Sequence, residues 1–260
     1  MIRVGAYVSR NSYGNDILFK VVSSNNGDYI LKGVNYRLIA DSNEDDLKEE
    51  ESNLENNSEY LNIIRDNIPK NNDDYFFIPG RVLHIDGDED YLKRCMDYYK
   101  SSLVQATGKC IKEKDIQYYV VDLLNEYKPD ILVITGHDAY YKKRIGNTSL
   151  YKNSDNFALA VKKAREYEKN QSNLIIIAGA CQSNYEILIK AGSTYASSPK
   201  RINIHALDPA IIAVVISFWN KNKDTDIISI LSKTKYGKDG MGGLISKGTM
   251  FTGYPREQNK

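Results

Sequence analysis

Asn173-Leu-Ile-Ile-Ile-Ala-Gly-Ala-Cys-Gln-Ser183 decides the fold of this chain, together with the earlier stretch Pro129-Asp-Ile-Leu-Val-Ile-Thr-Gly-His-Asp138. Each is an apolar run of strand length that ends on a small residue and then one reactive side chain, His137 or Cys181. Continuous apolar runs are typical of parallel strands that are covered on both faces. Because open α/β sheets carry their sites at the carboxyl ends of their strands, we expect His137 and Cys181 to share one edge of a sheet.

Strand and helix patterns alternate from residue 75 onward, which predicts an α/β domain over 75–260. The expected strands are at 75–85, 109–112, 129–137, 173–181 and 201–205, and the expected helices at 89–104, 116–127, 154–169, 184–191 and 209–219. Right-handed crossovers place the strands of His137 and Cys181 in one sheet as neighbours.

The first 41 residues have a different pattern, in which short β-type runs alternate with Gly and Asn turns. Asn25-Asn-Gly27 lies between two of these runs and is a hairpin signal. We interpret residues 1–41 as a small SH3-like β-barrel. Residues 42–74 are rich in Asp, Glu and Asn and are interpreted as an acidic linker with possible helix.

Composition excludes several classes of function. The formal net charge of +1 gives no reason to expect nucleic acid as a partner. No apolar run approaches the roughly 18 to 20 residues of a membrane span, and Met1-Ile-Arg-Val-Gly-Ala-Tyr-Val8 lacks the apolar core of a signal peptide. We therefore expect a cytoplasmic protein that binds neither nucleic acid nor membrane.

The three cysteines, Cys95, Cys110 and Cys181, are too few and too dispersed for a disulfide framework or a metal site. No metal and no other cofactor is expected. Cys95 and Cys110 are interpreted as small buried residues of the core. His84 and His205 are interpreted as packed or supporting histidines.

A thiol and an imidazole at one sheet edge predict a cysteine hydrolase. A free thiol is only slightly ionised near neutrality, and His137, 44 residues before Cys181, is the candidate base that activates it. Main-chain N–H groups at the turn after the second run, that of Cys181 among them, are candidate donors to an oxyanion. The expected reaction is acyl transfer to sulfur followed by hydrolysis. The alternative is that Cys181 is only a small buried residue.

Gly179-Ala-Cys-Gln-Ser183, with His137 upstream, is similar at Ala-Cys-Gln to the caspase signature Q-A-C-[RQG]-G. In the caspase-like group the histidine and the cysteine end adjacent parallel strands. The resemblance implies a caspase-like, three-layer α/β domain with a parallel sheet. Those enzymes commonly have glycine directly after the histidine, where this chain has Asp138.

Further blocks extend over nearly the whole chain: Val4–Lys20, Leu31–Gly33, Arg37–Asp41, Pro79–Asp88, Thr135–Asp138, Ala180–Asn184, Ser197–Pro209, Gly240–Gly243 and Lys247–Thr249. In number and order they resemble the YabG sporulation peptidases. The resemblance implies a cysteine endopeptidase that acts in the mother cell on spore coat and cortex-associated proteins and cuts near arginine. The histidine and cysteine of that family correspond to His137 and Cys181.

A preference for arginine would require a buried or half-buried carboxylate that pairs with the guanidinium. Asp86 and Asp88, after the first strand of the α/β domain, and Asp208, after the strand expected at 201–205, are the candidate substrate-binding acids. The same preference predicts self-cleavage after Arg65 in the acidic linker, which would leave a fragment that begins at Asp66.

Two other classes of function fit the same sequence. The first is a non-catalytic assembly or scaffold protein of the spore coat. The second is a different Cys-His acyl hydrolase, such as an amidase. Thiol alkylation separates the enzyme from the scaffold, because a catalytic Cys181 should react much faster than Cys95 or Cys110. Activity on arginyl peptides against simple amides separates the peptidase from the amidase.

Overall fold

A computed structural model describes residues 2–51, 74–141 and 150–255 of the chain. The chain divides into two compact units, Met1–Asn57 and Ser58–Lys260. The helix expected within the acidic linker, and Arg65 with it, lies outside the described residues. Within the three described ranges, no helix is both long and apolar enough to cross a membrane.

The described part of the first unit is an antiparallel sheet of five strands. The strands are β1 (Tyr7–Arg10), β2 (Phe19–Asn25), β3 (Asp28–Gly33), β4 (Ile39–Asn43) and β5 (Leu47–Glu49). Their order is β4-β3-β2-β1-β5, so the last strand pairs with the first. Alternate residues of β2 and β3 point into a small apolar core that includes Phe19, Val21, Tyr29 and Leu31, as the period-2 pattern of a half-buried strand requires.

The hairpin predicted at Asn25-Asn-Gly27 is confirmed. Asn25 pairs with Asp28, which leaves Asn26 and Gly27 as a two-residue loop. Both loop residues have positive φ, 49° and 89°, and the twist of such a turn matches that of the flanking strands.

The sheet continues beyond residue 41, where the sequence indicated that the linker begins. β4 extends to Asn43, and β5 lies wholly within the acidic segment and pairs with β1. The acidic residues have structural roles there: Asp46 accepts hydrogen bonds from the main chain and the hydroxyl of Ser12, and Leu47 is buried in the core. The folded structure of the first unit therefore continues to residue 49, with a short 3-10 turn at Glu44–Asp46 between β4 and β5.

The second unit contains a six-stranded sheet and a two-stranded sheet among its described residues. The strands are β6 (Phe76–Ile78), β7 (Val82–Asp86), β8 (Ala106–Cys110), β9 (Ile131–Thr135), β10 (Ile175–Ala178), β11 (Tyr195–Ser197), β12 (Met241–Gly243) and β13 (Phe251–Gly253). The helices are α1 (Glu89–Ser101), α2 (Ile116–Tyr127), α3 (Ser154–Tyr167), α4 (Tyr185–Ala191), α5 (Asp208–Ser217) and α6 (Ile227–Leu231).

The large sheet has the order β12-β11-β10-β9-β7-β8, and all neighbours are parallel except β11 and β12. Its strands alternate between two apolar cores, one on each face. Helices α1, α5 and α6 contribute to one core, and α2, α3 and α4 to the other. The unit is therefore an α/β/α arrangement of three layers, as apolar strands covered on both faces require.

The predicted pairing of the two apolar runs is confirmed: β9 and β10 are adjacent and parallel. Ile134 pairs with Ala178, and His137 and Cys181 each come three residues after a member of that pair. The shared register brings both reactive residues beyond the same edge of the sheet.

Two predicted strands differ in the structure. The run at 75–85 is divided at Pro79-Gly80, so that β6 pairs with β13 in the small sheet while β7 joins the large one. The strand expected at 201–205 is wrong, because this segment is irregular and the sheet uses β11 instead. The carbonyls of Ile202 and Ile204 accept bonds from the turn around Cys181, not from a neighbouring strand.

Candidate active site

Two glycines shape the loops that follow β9 and β10. Gly179 has φ +106°, and a Cβ at this position would lie 2.8 Å from Leu188 Cδ1. A Cβ at Gly136 would lie 2.6 Å from Glu113 Oε1. Any larger residue would displace these neighbours, and at Gly179 it would also strain the backbone. Gly179 therefore allows a left-handed turn two residues before Cys181, and Gly136 leaves room for the Glu113 side chain beside His137.

Cys181 is fully buried in this conformation. Its thiol lies 3.5 Å from the carbonyl oxygen of Ile204, to which it donates a weak hydrogen bond. The next residue, Gln182, has φ +57°. Its main-chain N–H donates to Ile202 O at 3.0 Å, and its side-chain amide donates to Asn203 Oδ1 at 3.0 Å, so it is bound to the irregular segment that contains Ile204. Residues 198–205 thus contact the thiol and bind the residue that follows it.

His137 is held from three sides. Its Nε2 lies 2.9 Å from Asp88 Oδ2, and both side chains are 15% exposed. Its main-chain N–H donates to Glu113 Oε1 at 2.8 Å. The ring of Tyr91 meets the imidazole edge to face, with centroids 5.6 Å apart. The imidazole is therefore oriented by a carboxylate and an aromatic ring, as is expected of a group that transfers protons.

Asp138 joins the two loops, although sequence reasoning noted it only as a departure from the caspase pattern. Its carboxylate accepts hydrogen bonds from Ser154 Oγ at 2.5 Å, Ser183 Oγ at 2.8 Å, Asn153 N at 2.7 Å and Ala139 N at 2.9 Å. Burial raises the pKa of this carboxyl, and the four donors oppose that rise. The caspase-like group commonly has a flexible glycine at this position. Here a carboxylate with four hydrogen bonds holds the two loops together.

Asp86 lies at the end of β7 and is fully buried. Its Oδ1 accepts the main-chain N–H of Asp88 at 2.9 Å, and its Oδ2 accepts the hydroxyl of Thr135 at 2.8 Å. Thr135 Oγ1 is also 2.7 Å from His84 Nε2, and His84 Nδ1 is 3.0 Å from the hydroxyl of Tyr99. His84 is a supporting histidine. Both carboxylate oxygens of Asp86 accept hydrogen bonds from groups inside the protein in this conformation.

Asp208 is also fully buried, at the start of α5 and not after a strand. Its carboxylate accepts the main-chain N–H groups of His205 at 3.0 Å and Lys235 at 2.9 Å. Burial raises its pKa to about 7 against those bonds. His205 is buried beside it, and its Nδ1 accepts the main-chain N–H of Leu207 at 3.2 Å.

The turn after Cys181 uses most of its main-chain donors internally. Gln182 N–H donates to Ile202 O and to Ser198 Oγ, Ser183 N–H to Ala180 O at 3.4 Å, and Asn184 N–H to Ser154 Oγ at 2.8 Å. These three N–H groups are therefore not oxyanion donors in this conformation. This removes them from the set of candidate donors that the sequence predicted at the turn.

The other two cysteines lie in different environments. Cys95 is buried, with its thiol 3.7 Å from Ala206 O, and the prediction of a core cysteine is confirmed for it. For Cys110 the prediction is wrong, because this last residue of β8 is exposed. Although the residue is exposed, partial desolvation of its sulfur and the nearby charge of Asp86 raise the pKa of the Cys110 thiol.

Comparison with known proteins identifies the family. The sequence model of the YabG peptidase U57 family matches residues 3–255. The chain is also 38% identical, over an alignment of 287 residues, to the sporulation-specific protease YabG of Bacillus subtilis (strain 168), and the alignment covers 99% of each chain. The chain belongs to the YabG peptidase U57 family. Membership in the YabG family supports a protease role in sporulation.

Two solved structures are distantly similar to this YabG family member. A cobalamin-binding protein from Desulfitobacterium hafniense DCB-2 aligns with a TM-score of 0.34 and 16% identity, over 51% of this chain and 56% of that one. The anti-anti-sigma factor PhyR from Bartonella quintana aligns with a TM-score of 0.28 and 14% identity, over 54% of this chain and 47% of that one.

Sequence reasoning missed Glu113 and the roles of Asp88 and Asp138 in this YabG family member. Glu113 lies in a charged loop after β8, where nothing in the sequence separates it from solvent-facing neighbours. Asp88 stands one residue before a predicted helix, which is a capping signal, and its side chain does cap α1. Its second carboxylate oxygen reaches His137, and only the fold reveals that contact.

Proposed function

We propose that the chain is a cysteine endopeptidase in which Cys181 is the nucleophile and His137 the general base. The parallel register of β9 and β10 carries the proposal, because both residues follow a paired position by the same number of residues at one sheet edge. The orientation of His137 by Asp88 and Glu113 supports it further. A histidine and a cysteine used only for packing need no such arrangement.

The reaction proceeds in two halves. His137 takes the proton of the Cys181 thiol, and the thiolate attacks the carbonyl carbon of the scissile peptide to form a C–S bond. The C–N bond then breaks, and the imidazolium returns its proton to the leaving amine. A water that loses a proton to His137 attacks the thioester, the C–S bond breaks, and the carboxylic acid product and free thiol are released.

The proposal includes a caspase-like fold for the second unit and an SH3-like barrel for the first. The sheet order with one antiparallel edge strand, and a histidine and a cysteine after adjacent central strands, support the first assignment. The pairing of the first strand with the last in the five-stranded sheet supports the second. In this view the barrel is a module distinct from the peptidase unit.

The proposed substrates are spore coat and cortex-associated proteins in the mother cell, and the enzyme would associate with the forming coat. The Bacillus subtilis relative is named a sporulation-specific protease and aligns along its whole length, which supports that setting. No metal or other cofactor is part of the proposal, because a thiol and an imidazole suffice for the reaction.

Cleavage after arginine is part of the same proposal and requires a carboxylate that substrate can reach. Asp86 and Asp208 are enclosed, with both oxygens bound internally, and Asp88 contacts His137. Glu113 is only partly buried and adjoins the His137 loop, so we propose it as a further candidate for the acid that binds arginine. Glu113→Gln should lower the ratio of arginyl to neutral cleavage, while Asp86→Asn and Asp208→Asn should preserve it.

The test of the proposed function is incubation of the purified full chain with spore-coat extract. Cys181→Ala and His137→Ala should each abolish cleavage while circular dichroism and the unfolding midpoint stay near those of the wild type, because nucleophile and base act as one unit. Cys95→Ala and Cys110→Ala are the matched controls and should remain active. Substantial cleavage by Cys181→Ala would overturn the proposal. A wild-type chain that cleaves nothing would favour the scaffold hypothesis, and one that hydrolyses only small amides would favour the amidase.

A further inference from the structure

We propose that Asp88 is the positioning carboxylate of His137: it fixes the imidazole as the tautomer that leaves Nδ1 to exchange the proton with Cys181. The inference rests on the proposed function in one respect, which is that Cys181 is the group that exchanges a proton with Nδ1. Its structural basis is the 2.9 Å contact between Asp88 Oδ2 and His137 Nε2, with both side chains largely shielded from water. An ionised carboxylate can only accept, so Nε2 must donate, and Nδ1 is the basic nitrogen of the neutral ring.

The two oxygens of Asp88 have separate tasks. Oδ1 accepts the main-chain N–H groups of Asp90 at 3.0 Å and Tyr91 at 3.4 Å, and so caps α1. Oδ2 holds His137. Because main-chain donors and the positive end of α1 favour the ionised carboxylate, the cap also maintains the charge that orients the imidazole.

Asp88 is itself fixed by a buried chain of hydrogen bonds. Its main-chain N–H donates to Asp86 Oδ1, and Thr135 donates to Asp86 Oδ2. Thr135 Oγ1 also lies 2.7 Å from His84 Nε2, and His84 Nδ1 lies 3.0 Å from the hydroxyl of Tyr99. Asp86 thus accepts hydrogen bonds from Asp88 and from Thr135, and this carboxylate anchors the turn that carries Asp88.

The alternative is that Asp88 matters only as a helix cap. Asn separates the two roles, because its side-chain oxygen caps a helix as well as Asp does, whereas its amide donates a hydrogen bond and so favours a proton on the wrong imidazole nitrogen. Asp226→Asn is the matched control, since Asp226 caps α6 through a 3.1 Å bond from Ser229 N and adjoins no candidate catalytic residue.

The experiment combines kinetics with nitrogen NMR of the full chain. Asp88→Asn should lower kcat by about 10²- to 10⁴-fold with little change in KM, in line with the loss seen when the orienting aspartate of a serine-protease triad becomes asparagine. Asp226→Asn should leave both constants near those of the wild type. A kcat of wild-type size in a folded Asp88→Asn would overturn the proposal.

The spectroscopic readout does not depend on catalysis. The sample is a Cys181→Ala chain in which the ring nitrogens of the three histidines are isotopically labelled. The neutral His137 ring should show a protonated Nε2 and an unprotonated Nδ1. The signals of His137 are assigned by their loss in His137→Ala. Asp88→Asn should reverse or equalise the two nitrogen shifts, and Asp226→Asn should not. An unchanged His137 tautomer in Asp88→Asn would refute the positioning role. A changed tautomer together with full proteolysis by Cys181→Ala would instead refute the proposed nucleophile and leave the contact standing.

Discussion

Ser183 donates its hydroxyl proton to Asp138 Oδ2 at 2.8 Å and thereby connects the loop after β10 to the loop after β9. The same hydroxyl oxygen accepts the main-chain N–H of Ala180 at 2.9 Å. One side chain thus joins residues on either side of Cys181 to the residue that follows His137. The distance between the candidate nucleophile and base is set through this junction as well as through the strands.

Ser183→Ala should therefore lower both activity and stability. The change leaves the buried N–H of Ala180 without its acceptor and removes one of the donors to Asp138, for which a loss of about 1–3 kcal/mol in unfolding free energy is expected. We expect kcat to fall by roughly ten-fold or more with the fold retained, because small displacements of reacting groups have large kinetic effects. Ser232→Ala, whose hydroxyl bonds only to Ser229 O within its own turn in the described structure, is the control. Equal kcat values for the two variants would contradict the junction role.

Thiol labelling should report the accessibility of Cys181. The sequence predicts that Cys181 reacts faster than Cys110, but Cys110 is exposed and Cys181 is fully buried. Iodoacetamide should therefore modify Cys110 first in the resting enzyme, at a rate that the raised pKa of that thiol lowers. In a Cys110→Ala background, Cys181 should react only as residues 198–205 open locally. Mass spectrometry of timed reactions gives both rates.

Asn203→Ala should accelerate the labelling of Cys181 several-fold. It removes the 3.0 Å bond from Gln182 Nε2, and a net loss of about 1 kcal/mol shifts a local opening equilibrium by roughly five-fold. Asn170→Ala changes a side chain that caps an exposed turn and serves as the control. If both variants label at the wild-type rate, the segment does not control access to the thiol.

Local patterns predicted those parts of the fold that depend on neighbours in the sequence. The hairpin at Asn26-Gly27 follows from residues that tolerate positive φ, and the strands before His137 and Cys181 follow from unbroken apolar runs. These signals are strong because backbone sterics and burial act on the same few residues.

The failures are sites where tertiary contacts override local patterns. Arg201-Ile-Asn-Ile-His205 alternates like a strand, but Ile204 packs in the core and its carbonyl accepts from Cys181, so the segment closes a loop. The true strand, Tyr195–Ser197, is short and has no such pattern. The contact of Asp88 with His137 joins residues 49 apart, which no spacing rule reveals.

Asp208 should make stability depend on pH. Its pKa is raised from 3.8 to about 7 by burial, so the folded state holds a proton that the unfolded state has lost between about pH 4 and 7. Stability from this group is therefore present below its unfolded pKa and is lost as pH rises through its folded pKa, by up to about 4 kcal/mol. Denaturant unfolding should show the wild type losing stability relative to Asp208→Asn between pH 5 and pH 8. A difference that does not vary with pH would mean that Asp208 titrates normally.

Self-cleavage should occur after Arg65 if the enzyme prefers arginine. Arg65 lies outside the described residues, in a segment whose acidic composition predicts a linker, whereas Arg37 is fully buried and Arg10 ends β1. A protease needs several extended residues on each side of the scissile bond, so cleavage at Arg10 or Arg37 first requires the five-stranded sheet to open. Aged wild-type protein should therefore accumulate a fragment that begins at Asp66, while Cys181→Ala and Arg65→Gln stay intact at that bond. Mass spectrometry identifies the new terminus. An intact wild-type chain under conditions that cleave coat proteins would contradict self-processing. Cleavage after Arg37 in place of Arg65 would show that the five-stranded sheet is more accessible to the protease than the acidic segment.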